Sequence, residues 1–185
     1  MERWEDEPQL VQQAQAGNQQ AFEALVDRYW GRVCRWLVGL THEDQLAEDL
    51  TQEAFLKAWK ALPTFHIGGN FRVWLFAIAR HCLVDHQRGS RATPAQLPPE
   101  ALASKEPGPV NAALQQEGAS LLRQACVRLP AHFRSAFLLW SQEGLSFAGV
   151  AQVLGLTEET ARWRVFKARL LLVKELGAYL DRKVP

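Results

Sequence analysis

The sequence predicts an all-α protein made of two small helical domains joined by a flexible linker. Three observations carry that expectation. Apolar residues recur with a helical period along most of the chain, and no alternating strand pattern appears. A proline-rich stretch divides the chain. Charge also differs across that stretch. Residues 1–88 hold 9 Lys/Arg against 12 Asp/Glu, net −3, whereas residues 113–185 hold 10 against 6, net +4. An acidic front and a basic back suggest two units with different partners. A length of 185 residues accommodates both. The boundaries read as 1–88 for the front domain, 89–112 for the linker and 113–185 for the back domain.

Helices are expected near 7–16, 19–38, 43–61 and 70–88 in front, and near 113–128, 131–142, 146–154 and 158–177 behind. Thr41 or His42 is expected to precede the third helix, with Glu43 and Asp44 in its first turn, where acids suit the helix dipole. The segment from Arg88 to Asn111 contains five prolines and few large apolar residues, as a linker does. Fully extended, its roughly 24 residues span at most about 80 Å. One turn of DNA is about 34 Å, so two domains on this tether reach sites one to two turns apart.

Composition narrows the function classes. Apolar residues at 48% and charged residues at 22% describe a globular chain. No run approaches the roughly 20 apolar residues of a membrane span. The acidic start MERWEDEP does not read as a signal peptide, so a cytoplasmic location is expected. Cys34, Cys82 and Cys126 are widely spaced with no CxxC, and read as small buried hydrophobes. His81 with Asp85, and Cys82 with His86, are four apart but point in different directions, so no metal and no cofactor is expected.

On the helix through AEDLTQEAFLKAWKAL, Ala47, Leu50, Ala54 and Ala58 share one side, widened by Phe55 and Leu62. Asp49, Gln52, Glu53 and Leu56 fall on the other. An exposed leucine among polar groups fits a docking patch; a plain solvated face is the bland alternative. In FRVWLFAIARHCLVDHQRGSR, the residues Phe71, Trp74, Leu75, Ile78 and Cys82 form one apolar stripe. Val73, Phe76, Leu83 and Val84 lie on the far side with Arg72 and Arg80. A helix apolar all round is buried or covered by a partner. Aromatic rings beside arginines also suit single-stranded DNA, where bases stack and cations meet phosphates. Asp85, near the end of the stripe, is expected to pair with an arginine or a backbone amide. The loop PTFHIGGN, with Pro63 and the Gly68–Gly69 pair, breaks the helices and sits where recognition loops sit.

The segment LSFAGVAQVLGLTEETARWRVFKARL reads as a helix-turn-helix. Ser146 caps one helix, Gly155 makes the turn, Leu156 plugs it and Thr157 caps the next helix. Ala161, Val165, Ala168 and Leu172 make its core stripe, while Thr160, Trp163, Arg164 and Lys167 face away, flanked by Arg162 and Arg169. Such a face enters a major groove, where arginine reads guanine edges and other cations hold phosphates.

In this order and around this linker, these motifs resemble the extracytoplasmic-function (ECF) sigma factors of bacterial RNA polymerase. AEDLTQEAFLKAW is similar to the family's core-binding stretch, and FRVWLFAIARHCLVDHQR to the helix that follows it in region two. LPAHFRSAFLLWSQEGLSFAGVAQVLGL and TARWRVFKAR are similar to region four and its recognition helix. The resemblance implies that Asp49, Gln52, Glu53 and Leu56 dock on the clamp helices of core RNA polymerase. It implies contacts to the minus-ten element by His66, Asn70, Arg72, Arg80, His81 and Arg88. It implies contacts to the minus-thirty-five element by Thr160, Arg162, Trp163, Arg164, Lys167 and Arg169. The partners are then core polymerase, promoter DNA and, further, an anti-sigma protein, and the chain is no enzyme.

The chain departs from the family pattern at four places. Gly149 stands where glutamate is frequent, and Glu159 where glycine is usual. Trp163 replaces a small polar residue, and His81 a frequent asparagine. These bear on the promoter read, not on the class. The competing reading is a stand-alone helix-turn-helix regulator, which needs neither the acidic face nor the W-L-x-x-I-A-R helix. A helical enzyme lacks a nucleophile–base set, a phosphate loop or a metal cluster. An adaptor that keeps only the fold is a third option.

Overall fold

A computed structural model describes residues 6–91 and 121–183. The described residues are helical with connecting turns: α1 (Glu7–Gln15), α2 (Gln19–Thr41), α3 (Asp44–Ala61), a 3₁₀ turn (Leu62–Thr64), α4 (Phe71–Arg91), α5 (residues 121–127), α6 (Ala131–Ser141), α7 (Phe147–Leu154) and α8 (Glu158–Lys183). The all-α expectation is met. The linker, beyond residue 91, and the expected start of α5 lie outside the described residues.

Local chemistry sets most boundaries. Gly17, at φ +90°, ends α1, and the Asn18 side chain caps α2 by accepting from the Ala21 N–H at 3.2 Å. The Asn70 side-chain Oδ1 likewise accepts from the Val73 N–H at 3.0 Å and starts α4. The junction of α2 and α3 differs from expectation. Helix α2 runs on to Thr41, and His42 closes it in the left-handed region at φ 60°. Glu43 is the N-cap position of α3, leaving only Asp44 of that pair in the first turn. Beyond the expected end at 38, Leu40 packs partly buried against the core and the Thr41 hydroxyl donates to the Leu37 carbonyl at 3.0 Å, which offsets the poor propensity of Gly39.

Helices α1–α4 pack around Leu25, Tyr29, Val33, Trp36, Leu50, Phe71, Leu75 and Phe76, all essentially inaccessible to solvent. Trp36 meets Phe76 edge-on at 5.5 Å between ring centroids. The Gln15 amide donates to the Leu62 and Phe65 carbonyls at 2.9 and 2.6 Å, tying α1 to the start of the loop before α4. Helices α5–α8 surround Leu139, Val150, Val153, Ala161, Val165, Ala168 and Leu172. The four expected core positions of α8 are all buried.

The two helical groups touch: α2 packs on α6, and α4 on α7. The Arg32 Nε donates to the Glu143 carboxylate at 2.7 Å, and the Arg72 guanidinium to the Glu143 carbonyl at 2.8 Å. The Arg134 guanidinium donates to the His42 ring and, at 2.8 Å, to the Val127 carbonyl. On the second apolar side of α4, Val73 is buried against α7 of the back group, while Phe76 packs on Trp36 of α2.

Candidate functional site

The first candidate surface is the outer face of α3. Its inner face is committed to the core through Ala47, Leu50, Ala54 and Ala58. The helical period then leaves Asp49 and Gln52 exposed and Glu53 half-buried, with Leu56 57% exposed beside them. The sequence-predicted set therefore shares one face. Glu53 pairs with Lys57 at 2.8 Å, and Gln45 donates to Asp49 at 3.3 Å. Asp85, expected to pair with an arginine or an amide, instead lies 3.7 Å from Lys57 and is exposed. The Lys57–Asp85 contact joins α3 to α4, while the Glu53–Lys57 pair lies within α3. Glu53 beside Lys57 pushes that ammonium above the ordinary lysine value.

Beside this face runs an open apolar cleft of about 450 Å³ between α2 and α3. Phe22, Trp30, Phe55 and Trp59 line it, with Gln52 and Leu56 on its rim. Phe22 and Trp59 lie 4.7 Å apart, and Trp30 stacks on Phe55 at 5.7 Å. The sequence reading found Leu56 and missed Trp59. Position 59 lies one turn beyond 56 on the same face, a signal that was available.

The second surface surrounds the start of α4. His66, Asn70, His81 and Arg88 are exposed, as expected of groups that touch a ligand. Asn70 also serves as the α4 cap. Arg72 and Arg80 are only partly accessible. Arg72 donates to the Glu143 carbonyl, and the Arg80 guanidinium lies near Gly155, the turn residue that follows α7. Beneath the loop, Phe65, Phe71 and Trp74 form an aromatic cluster with centroids 4.9 to 5.8 Å apart. Phe71 is core and Trp74 partly so.

The third surface is α8. Ser146 accepts from the Gly149 N–H at 3.1 Å and caps α7; Gly155, at φ 61°, makes the turn; Thr157 accepts from the Thr160 N–H at 3.2 Å. The helix-turn-helix is built as the sequence implied. Arg162 and Arg169 are exposed on one flank, while Thr160, Arg164 and Lys167 are half-exposed. The Arg162 guanidinium pairs with Glu158 at 2.9 Å and lies over the Phe147 ring; Arg169 lies over Trp140. Trp163 is 53% exposed, its ring edge against Phe133. Phe166, Leu170 and Val173 continue an exposed apolar stripe that the sequence reading did not single out.

The three cysteines are free, and burial raises each thiol above its ordinary value. That holds them in the inert, protonated form. No helix among the described residues is long and apolar enough to cross a membrane.

Comparison with known proteins decides between the competing readings. Residues 25–93 match the family Sigma-70 region 2. Across 95% of the chain and 96% of the relative, the sequence is 34% identical to the RNA polymerase sigma-H factor of Pseudomonas aeruginosa. It is 35% identical to the ECF RNA polymerase sigma factor SigC of Mycobacterium tuberculosis, over 90% of the chain and 89% of the relative. The chain belongs to the ECF sigma factors.

The solved structure of CnrH in complex with the cytosolic domain of CnrY is similar at 26% identity and a TM-score of 0.68, covering 96% of this chain and 99% of that one. The likeness of this sigma factor to CnrH thus extends over both helical groups. As a sigma factor, the chain directs RNA polymerase to promoters at transcription initiation. The stand-alone regulator reading falls away, because the match includes the acidic α3 and the aromatic α4 within residues 25–93.

Proposed function

We propose that the three surfaces divide the work of initiation among them, with residues 1–88 as region two, 89–112 as the tether and 113–185 as region four. The α3 face of Asp49, Gln52, Glu53 and Leu56 docks on the polymerase clamp helices. His66, Asn70, Arg72, Arg80, His81 and Arg88 bind the minus-ten element and hold it open. Thr160, Arg162, Trp163, Arg164, Lys167 and Arg169 bind the minus-thirty-five duplex. The single observation that supports this most is the separation of the surfaces: an exposed acidic face on α3 and a basic exposed face on a capped α8. The chain acts by binding in the cytoplasm and not by catalysis. The family implies an anti-sigma protein as a further partner.

The test is run-off transcription with purified core polymerase, this chain and a pool of candidate promoters. Sequence-specific transcripts that require the chain are the expected result. Core polymerase binding with no transcript from any promoter would leave an adaptor. No binding at all would remove the docking assignment.

A further inference from the structure

We propose that Trp163 reads the minus-thirty-five duplex through the C5-methyl group of a single thymine. The inference rests on the reading of α8 as the helix that enters that duplex.

Thr160, Trp163, Arg164 and Lys167 recur at spacings of three and four, so they share one face of α8. None of them belongs to the core stripe of Ala161, Val165, Ala168 and Leu172, which is buried. Thr160, Arg164 and Lys167 are half-exposed, whereas Trp163 is the most accessible of the four. Arg162, its neighbour in the chain, is drawn aside. The Arg162 guanidinium pairs with Glu158 at 2.9 Å and lies 5.3 Å from the centre of the Phe147 ring on α7. The Thr160 hydroxyl shares a hydrogen bond with the Thr157 hydroxyl at 2.8 Å. Helix α8 begins at Glu158, which places position 163 in its second turn. The N-terminal turns of a recognition helix are the ones that meet base edges. There the chain presents an indole.

The indole is held in place. It meets Phe133 of α6 with ring centroids 5.4 Å apart and planes at 64°, an edge-to-face arrangement that aromatic pairs prefer. Phe133 is buried and forms a fixed wall. One side of the Trp163 ring is covered and the rest is left to solvent. A ring oriented before DNA arrives loses little freedom on binding.

What this surface can read follows from the groove. Major-groove edges present hydrogen-bond donors and acceptors, and one apolar group, the methyl of thymine. A methyl set against the indole leaves water together with the part of the ring that it covers. Arg164 and Lys167, on the same face, supply donors and charge. The indole therefore adds base choice rather than general affinity. Trp163 is one of the positions where this chain departs from the family pattern, and a small polar side chain there has no such surface. Phe166, Leu170 and Val173 are exposed as well, but only Trp163 lies in the first two turns, with Thr160 and Arg164.

The test uses the full chain bound to core polymerase and short duplexes that carry a randomised block. One pool contains thymine. A second contains deoxyuridine in its place, which pairs identically but lacks the methyl group. Bound duplexes are recovered and sequenced. The wild-type chain is expected to enrich an element with thymine at one fixed position in the first pool, and to lose that preference in the second. On the enriched duplex, replacing this thymine alone by deoxyuridine is expected to weaken binding about fourfold, the worth of one buried methyl group. Trp163→Ser is expected to enrich the same element without that thymine, and to bind the thymine and deoxyuridine duplexes equally. Trp163→Phe keeps a ring, drops the indole N–H and is expected to keep the preference. Melting temperatures first check that both variants are folded; the deoxyuridine comparison on the wild-type chain needs no variant at all. An element enriched alike from both pools overturns the inference, as does a Trp163→Ser chain that keeps the preference. A preference lost in Trp163→Phe makes the contact a hydrogen bond from the indole and overturns it too. Recovered duplexes that share no sequence remove the reading of α8 on which the inference rests.

Discussion

Ser146 and Thr157 are the smallest parts on which the back surface depends. Each hydroxyl accepts one backbone N–H that would otherwise be orphaned at a helix start. Ser146→Ala or Thr157→Ala is expected to cost about 1 kcal/mol of stability, read as a fall in the melting temperature. The Thr157 change is also expected to weaken duplex binding, because it loosens the turn of α8 that carries Thr160 and Arg162. Arg164 tests what that helix reads. If it meets a base edge, Arg164→Ala costs about 1–3 kcal/mol of discrimination between promoter sequences. A loss equal on every sequence would make it a phosphate contact. Caps and turns were legible because their chemistry is local: Ser146, Gly155 and Thr157 announce themselves within a few residues. The α2–α3 junction was not, because packing of Leu40 against the core carries α2 through Gly39, and that packing is not written in the neighbouring residues.

At the scale of single helices, α3 and α8 present opposite charge and predict opposite behaviour. Asp49→Lys or Glu53→Lys reverses the sign of the α3 face at accessible positions. Polymerase affinity is expected to fall while the melting temperature stays nearly unchanged; equal affinity in a folded variant would remove the docking assignment. Four cations on α8, Arg162, Arg164, Lys167 and Arg169, are available to duplex DNA. If each neutralises a phosphate, raising salt from about 50 to about 200 mM weakens duplex binding by about two orders of magnitude. A shallow salt slope would mean that the stacks of Arg162 on Phe147 and of Arg169 on Trp140 persist in the complex and keep those charges from phosphates. Helical period told the inner face of each helix from the outer one: Ala161, Val165, Ala168 and Leu172 are buried as their spacing required. Period alone did not show that Phe22 and Trp30 of α2 join Trp59 of α3 in one cleft, because that depends on how the two helices cross.

The whole molecule adds what neither domain shows alone, the contact between them. The sequence left their arrangement open, since Arg32 and Glu143 are 111 residues apart and nothing local pairs them. His42 makes that contact sensitive to pH. It closes α2, and its ring accepts from Arg134 of α6. Burial first, and the Arg134 charge second, hold its pKa below the ordinary histidine value of about 6.5. When the groups separate, His42 meets water, leaves Arg134 and regains a value near 6.5. The closed form therefore binds fewer protons than the open one. Its stability is fully present above about pH 6.5 and falls as pH drops through that value toward the lower closed-state pKa. Small-angle scattering or an inter-domain energy-transfer distance is expected to show closed molecules at about pH 8 and a growing open fraction below about pH 6.5. His42→Asn isolates this residue from the chain's other histidines. Asparagine tolerates the left-handed backbone at this position, offers Arg134 an oxygen and does not titrate. The variant is expected to flatten the pH response between about 5 and 7; an unchanged response would assign it to another group. Because Arg72 is held by the Glu143 carbonyl in the closed form, the same acid shift is expected to strengthen single-strand binding in the wild type and not in His42→Asn. Phosphate attraction to newly charged histidines elsewhere would strengthen it in both.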